Sequence, residues 1–327
     1  MNTPSTPWLI VGQGLAGSCL AWEFYRRNIP FEITDSNTSQ SSKIAAGMIN
    51  PITGKNFQPS WRITEFHPPA IHFFTTLEHQ LGIQLWHPLP ILRLASSENE
   101  WRKIHSKLTS PDITPWLHPG ETHTPDGFAG AVTLTGGGRL DTLTFVNSTR
   151  EFFTNYGNYR NSSHNTSLPH PARILCQGAP GLLHNQLGPH RCAKGEIITL
   201  RAPWPQTHIR VGSGGWLIPL GNSLFRAGST YQWDTLDQSP TTTGHTRISQ
   251  IIHTLGGTDY TLIDHVAAIR PILRRSQPLI GKNPSGDWIF NALGSKGSLY
   301  APAFSQLLAD WILNGTRPHE DFIFSPP

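Results

Sequence analysis

The chain has 327 residues, of which 37% are hydrophobic and 14% charged, with a formal net charge of +4. That length supports one large or two ordinary domains, and the low charge fraction argues against a disordered chain. The mild basicity carries no long Lys/Arg block, so nucleic-acid binding is not expected; Arg26-Arg27 and Arg274-Arg275 read as helix-end or surface charge.

Trp8 to Val11 reads as a short buried strand. It runs into Gly12-Gln13-Gly14-Leu15-Ala16-Gly17-Ser18, which has GxGxxG spacing, and then into a helical pattern ending near Asn28. The three glycines have separate jobs. Gly12 permits the tight turn, Gly14 lets backbone approach a pyrophosphate, and Gly17 lets the helix sit close on the strand. The helix N-terminus, with Leu15 and Ala16 in its first turn, offers free N–H groups and a positive dipole end to an anion. A second strand from Phe31 ends in Asp35, placed where an acid takes a ribose 2′-hydroxyl. A carboxylate there repels a 2′-phosphate and argues against NADP. The alternative is a structural βαβ turn with Asp35 solvated.

Ser36 to Ser42 reads as a polar loop. Beyond it, Ala45-Ala46-Gly47 lies in a run of small residues that lets backbone pass close to a flat or anionic group; a tightly packed loop explains it equally. Pro68 to Leu81 has helical spacing through Ile71, Phe74, Leu77 and Leu81, with Gly82 as a stop. Leu89 to Ala95 reads as a strand. Ser97 and Glu100 have capping-box spacing before a helix with Trp101, Ile104 and Leu108 on one face. Gly136 to Asp141 reads as a turn, with Asp141 capping the next helix. Asn155 to His170 reads as an exposed loop.

A short strand from Arg173 then ends in small residues at Gly178-Ala179-Pro180. Trp216 to Leu220 and Leu224 to Tyr231 pair as a hairpin around Gly221-Asn222. Ile248, Ile251, Ile252 and Leu255 give a helical stripe stopped by Gly256. The strand from His265 ends in Arg270-Pro271. Trp288 to Leu293 leads into a second glycine turn, Gly294-Ser295-Lys296-Gly297. The helix after it carries Phe304, Leu307, Leu308, Trp311 and Ile312 on one face. Two glycine turns, one near each end of the sequence, can clamp one extended ligand from opposite ends.

Cys19, Cys176 and Cys192 are scattered, with no CxxC, and none of the sixteen His residues has HExxH spacing. Neither a disulfide framework nor a metal site is expected, and a reducing compartment follows. Met1 to Pro7 carries no basic residue, and no apolar run reaches the length of a membrane span. A cytoplasmic protein without a membrane span is the expectation.

These motifs together resemble the FAD-dependent oxidoreductases of the D-amino acid oxidase family, which includes glycine oxidases, sarcosine oxidases and the flavin domain of a bifunctional tRNA 5-methylaminomethyl-2-thiouridine enzyme. The Gly12 to Ser18 turn resembles the family's ADP-binding turn and Asp35 its ribose acid. Ser42-Lys43-Ile44-Ala45-Ala46-Gly47 is similar to a segment that lines pyrophosphate and flavin. Cys176-Gln177-Gly178-Ala179 stands where the family has a strand ending beside the cofactor. Lys194-Gly195-Glu196 and Arg226-Ala227-Gly228-Ser229-Thr230-Tyr231 are similar to substrate-domain strands. Ile269-Arg270-Pro271 with Pro278-Leu279-Ile280-Gly281 resembles the family's Arg-Pro motif, and Asn291 to Gly297 resembles its motif at the flavin ring. The sequence departs from the family at Arg275-Ser276-Gln277, where an Asp is usual, and at Gln232, where an acid is common.

The resemblance implies an α/β fold: a discontinuous Rossmann-like FAD-binding domain (1–60, 140–194 and 266–327) and an α+β substrate domain with a mainly antiparallel sheet (61–139 and 195–265). It implies non-covalent FAD held by Gly12, Gly14, Leu15, Ala16, Gly17, Asp35, Ser42, Ala45, Ala46, Gly47, Gly178, Ala179, Gly294, Ser295, Lys296 and Gly297. The implied reaction removes a hydride from a C–N bond of a small amine or amino acid, giving an imine. Oxygen or another partner is the electron acceptor. Arg270 is the candidate carboxylate anchor, and Tyr231 a candidate partner for the substrate's polar end. By residue type alone, Arg270 in a structural ion pair, Tyr231 in the core and Lys296 on the surface are the rival readings. Two other functions remain open: a tRNA-modifying flavoenzyme acting on a carboxymethylaminomethyl base, and a flavin-binding protein without turnover.

Overall fold

The computed structural model describes residues 7–37, 41–160, 172–184, 187–212, 214–274 and 276–324. Arg275, residues 1–6 and positions 161–170 of the expected polar loop lie outside the described residues.

Six strands form a sheet in the spatial order 159–160, 31–34, 8–11, 173–175, 288–291 and 279–282. All neighbours are parallel except the last pair. Ile10, Ile33, Ile174, Ile289 and Phe290 are fully buried, as expected for parallel strands covered on both faces. Val11 lies beside Thr34 on one side and Leu175 on the other, and Leu175 beside Ile289. The carboxyl ends of these strands therefore finish along one edge, where open α/β sheets bind ligands.

The helices Leu15–Arg26 and Gly297–Asn314 pack against each other over this sheet, burying Leu20, Trp22 and Phe24 with Phe304 and Leu308. Trp22 anchors a third helix, Thr142–Asn155. Its indole N–H donates to Thr149 Oγ1 (2.9 Å), and its ring meets Phe152 and Phe153 at 4.6 and 4.9 Å.

A second sheet has seven strands in the order 261–270, 193–201, 224–228, 215–221, 209–212, 91–95 and 130–134. It is antiparallel except where 209–212 meets 91–95. The helix Thr242–Leu255 packs on it through Ile248, Ile251, Ile252 and Leu255. Arg270 ends the longest strand opposite Ala193, where the chain turns back toward the parallel sheet.

Five expected elements differ. Tyr159–Arg160, expected as part of an exposed loop, is a short strand pairing in parallel with Phe31–Thr34. The helix expected from Pro68 begins at Ile63 and carries Pro68 and Pro69 inside it. Proline favours the first helical turn because it lacks an N–H. Here burial of Ile63 and Phe66, the latter against Tyr300, Phe304 and Phe322, extends the helix upstream. Gly138–Leu140 is a strand rather than a turn, pairing with Met48–Ile49 and Trp86–Pro88, although Asp141 does cap the helix after it. The 215–228 hairpin turns on Asn222-Ser223, both at positive φ (51° and 60°), so Gly221 stays in its strand. That hairpin ends at Gly228, which frees Ser229 to Tyr231 from the sheet. Ser41–Ile44 forms one helical turn that takes in Ser41 and Ser42, the end of the stretch expected as loop. Among the described residues no helix is long and apolar enough to cross a membrane.

Candidate functional site

The strand ends converge on one cavity of about 770 Å³. All the expected site residues line it except Gly17 and Ala179. Both exceptions have a packing reason. A Cβ on Gly17 would lie 1.9 Å from the Gly12 carbonyl oxygen, so this glycine serves the turn from behind. Ala179 is 1% exposed and faces a hydrophobic cluster with Leu182, Leu187 and Ile289.

The first glycine turn is shaped by close contacts. Gly12 has φ +101°, and a Cβ there would meet the Cys176 carbonyl oxygen at 2.5 Å. Gly14 faces Ser42, whose Oγ would lie 2.8 Å from a Cβ and accepts a hydrogen bond from the Leu15 N–H at 3.0 Å. The first intrahelical bond runs from Ser18 N–H to Gly14 O, so the Ala16 and Gly17 amides precede the ladder.

Gly297 opens the last helix, and a Cβ on it would meet Leu15 Cδ1 at 2.8 Å. The two helix N-termini are thus neighbours. The expectation of a clamp from opposite ends is corrected: the turns are far apart in sequence but adjacent in space. Their strands, 8–11 and 288–291, belong to the same parallel sheet with one strand between them. Two positive dipole ends therefore face one cavity.

Asp35 lines the cavity beyond its strand, and Arg150 Nη2 donates to its Oδ2 at 2.6 Å. The same guanidinium holds Gln13 Oε1 at 2.7 Å and Asn37 Oδ1 at 2.5 Å. Asp35 is therefore oriented rather than freely solvated. The Ala45 carbonyl accepts from Thr142 Oγ1 (3.1 Å) and Arg226 Nη1 (3.0 Å). Gly47, at φ +68°, comes so close to Leu140 O that a Cβ would lie 1.9 Å from it. Asn291 Nδ2 donates to Gly178 O at 3.0 Å, tying two of the strand-end loops together.

Arg270 is held at the cavity by two hydrogen bonds. Its Nη1 donates to Thr230 O (3.1 Å) and its Nη2 to Ser229 Oγ (2.7 Å). The guanidinium sits 4.1 Å from the Tyr231 ring centroid. Gly195 makes the space, since a Cβ there would lie 2.0 Å from Nη2. None of these partners is a carboxylate. Burial lowers the Arg270 pKa, with Tyr231 acting in the opposite direction. An arginine nonetheless keeps its charge, so the site presents a cation that its contacts among the described residues do not neutralise. Tyr231 is 45% exposed, so it is not a core tyrosine.

Lys296 is not a surface lysine. Its Nζ donates to Thr53 Oγ1 (3.2 Å) and Ser60 Oγ (3.0 Å), and burial lowers its pKa to about 8. The charged lining comprises Lys43, Lys55, Arg93, Arg247, Arg270 and Lys296 against the single acid Asp35. Arg93 is paired with Glu100 at 2.8 Å, and the remaining cations suit a polyanion. No cluster of metal-binding side chains occurs among the described residues.

Sequence reasoning missed Arg150, Gln13, Thr53, Ser60, Thr142 and Arg226. Arg150 sits 115 positions from Asp35, and Arg226 sits 181 from Ala45. No local spacing marks such partners.

The sequence profile of the family described as "FAD dependent oxidoreductase" matches residues 8–311. The fold is similar to glycine oxidase from Geobacillus kaustophilus (TM-score 0.80, 19% identity, covering 98% of each chain). It is also similar to iminodiacetate oxidase from Chelativorans sp. BNC1 (TM-score 0.74, 20% identity, covering 95% of this chain and 96% of that one). A third likeness is to L-proline dehydrogenase from P. horikoshii (TM-score 0.69, 14% identity, covering 95% and 94%).

Proposed function

The chain belongs to the family of FAD-dependent oxidoreductases, and on that premise we propose that it removes a hydride from a C–N bond of a small amine or amino acid bearing a carboxylate. The observation that carries this reading is Arg270, a half-buried guanidinium facing the common cavity with no carboxylate among its contacts to the described residues. Its fork fits a substrate carboxylate with two parallel hydrogen bonds. The names of the similar structures, glycine oxidase and iminodiacetate oxidase, support a substrate of this kind.

The residues present fit FAD. Gly12 to Ala16 would hold the pyrophosphate at the first helix N-terminus, and Asp35 the ribose. The Ala45 to Gly47 and Gly294 to Gly297 segments would lie along the flavin ring. Cys176 lines the cavity, but burial pushes its thiol well up, which favours non-covalent binding. When bound, FAD supplies the two-electron acceptor. Arg270 orients the substrate through its carboxylate. With FAD bound as the two-electron acceptor, the amine's carbon would give up a hydride to it and its nitrogen a proton to solvent, and water would hydrolyse the resulting imine.

The test is anaerobic mixing of the FAD-loaded protein with glycine, N-methylglycine, iminodiacetate and their decarboxylated counterparts. Carboxylate-bearing amines should bleach the flavin band, and their counterparts should do so far more slowly. Failure of every amine in the set to bleach the flavin overturns the reading.

Lys296 adds a second expectation. Its ammonium, held by Thr53 and Ser60 beside a helix N-terminus, stabilises negative charge that develops in the cavity on reduction. Lys296→Met is expected to lower the flavin's reduction potential by about 30 mV, equivalent to about 1.4 kcal/mol for a two-electron couple. Redox titration reads this directly, and an unchanged potential removes Lys296 from the mechanism.

A further inference from the structure

Several exposed large apolar side chains occur among the described residues: Leu143, Tyr156, Tyr231, Trp233, Leu262, Ile263 and Leu313. Of these, only Tyr231 and Trp233 line the cavity. We propose that this pair is a stacking platform for a planar aromatic ring attached to the substrate amine. The proposal rests on the substrate site assigned above and narrows its substrate class.

The platform is held in place by the backbone between its two rings. Gln232 N–H donates to Lys194 O at 3.0 Å, and Lys194 N–H donates to Gln232 O at 2.8 Å. This two-way antiparallel bridge sends Gln232 to one side and its neighbours Tyr231 and Trp233 to the other. Lys194, itself fully buried, holds Asp237 Oδ1 at 2.6 Å further along the same segment. At the near end, Glu196 N–H donates to Thr230 Oγ1 at 2.9 Å. The segment is thus tied to the strand Ala193–Arg201 before, between and after the two rings.

The rings are also placed in line with the anchor. The Arg270 guanidinium lies 4.1 Å from the Tyr231 centroid. Tyr231 and Trp233 are 6.0 Å apart at 34°, and Arg191 lies 5.5 Å from the Trp233 ring. A guanidinium therefore stands against each ring, and the rings are still 45% and 48% exposed. A substrate with its carboxylate on Arg270 therefore has the Tyr231 ring beside that anchor and the Trp233 ring next along the cavity wall. Indole and phenol faces favour a flat π-system over a saturated ring of the same size. The guanidiniums flanking the rings favour one that is electron-rich.

The test is calorimetric titration of the FAD-loaded protein with two matched pairs: phenylacetate with cyclohexylacetate, and benzyl alcohol with cyclohexylmethanol. The cyclohexyl member is the more hydrophobic of each pair, so simple apolar burial predicts the opposite order. The aromatic member should bind tighter by about 5-fold in both pairs, should keep most of that preference in Trp233→Phe, and should lose it in Trp233→Leu. Trp233 is half exposed, so neither variant threatens the fold. Equal binding within each pair, a cyclohexyl preference, a preference that survives Trp233→Leu, or no binding of any of the four overturns the platform. Carboxylates that bind no tighter than alcohols overturn the Arg270 assignment instead, while an aromatic preference in the same data still supports the platform.

Discussion

Arg270→Leu is expected to lower kcat/KM for carboxylate-bearing amines by about 100- to 1,000-fold, because losing one partner of a buried, hydrogen-bonded charge pair costs about 2–5 kcal/mol. FAD content and the visible spectrum should be unchanged, since Arg270 contacts Ser229, Thr230 and Tyr231 rather than either glycine turn. Amines without a carboxylate should lose much less. Arg270→Lys keeps the charge and loses the two-toothed geometry, so it should fall between the wild type and the leucine variant. Leucine also leaves the Thr230 carbonyl and Ser229 hydroxyl unpaired, so an independent variant is needed. Gly195→Ala provides it. The added methyl group would sit 2.0–2.2 Å from three guanidinium atoms, the far end of a flexible side chain. The fold can relax cheaply, but the guanidinium must leave its position. The expected result is a folded, FAD-loaded enzyme with the same selective loss for carboxylate substrates. Equal losses for substrates with and without a carboxylate, in either variant, would mean that Arg270 shapes the cavity and does not bind substrate.

The contrast between Arg270 and Arg150 shows what sequence can and cannot reveal. Arg270 was legible because it ends a strand and precedes a proline in a recognisable motif. The glycine turns were legible for a similar reason: strand, turn and helix are contiguous, and each local signal stands within a few residues of the next. The parallel order of strands 8–11, 31–34, 173–175 and 288–291 brings the turns together, and that order is set by packing across the whole chain. Hence the adjacency of Leu15 and Gly297 was not visible. Arg150 meets Asp35 only because its helix packs on Trp22, and nothing near residue 150 announces an acid 115 positions away. The helix from Ile63 failed for a complementary reason. Pro68 is a strong local start signal, and aromatic packing of Phe66 overrode it. The hairpin end at Gly228 matters most for function. It releases Ser229, Thr230 and Tyr231 from the sheet so that two of them can bond Arg270 and the third can stack on it.

Gly17→Ala is expected to have the largest effect on cofactor retention, although Gly17 does not line the cavity. Its backbone is ordinary helix, so no conformational strain arises from the methyl group. The obstacle is steric: the new Cβ would lie 1.9 Å from the Gly12 carbonyl oxygen and 3.3 Å from Ile10 Cγ2. The first of these atoms is backbone and cannot swing aside. The helix Leu15–Arg26 must therefore lift from its strand, carrying with it the amides of Leu15 and Ala16. Overpacking of this kind costs about 1–3 kcal/mol, and more where backbone must move. Gly315→Ala is the matched control. It caps the last helix away from the cavity, with positive φ (+69°) and nothing within 4 Å of an added Cβ. A non-glycine residue there costs about 1–2 kcal/mol of backbone strain without displacing a helix. Purified Gly17→Ala should be largely colourless, with FAD affinity reduced by at least about 10-fold and the apoprotein's melting temperature lowered by several degrees. Gly315→Ala should stay yellow with a smaller fall in melting temperature. If Gly17→Ala retains FAD as well as Gly315→Ala does, the helix N-terminus does not need its present position to hold the pyrophosphate. The turn would then serve only to pack the helix on the strand.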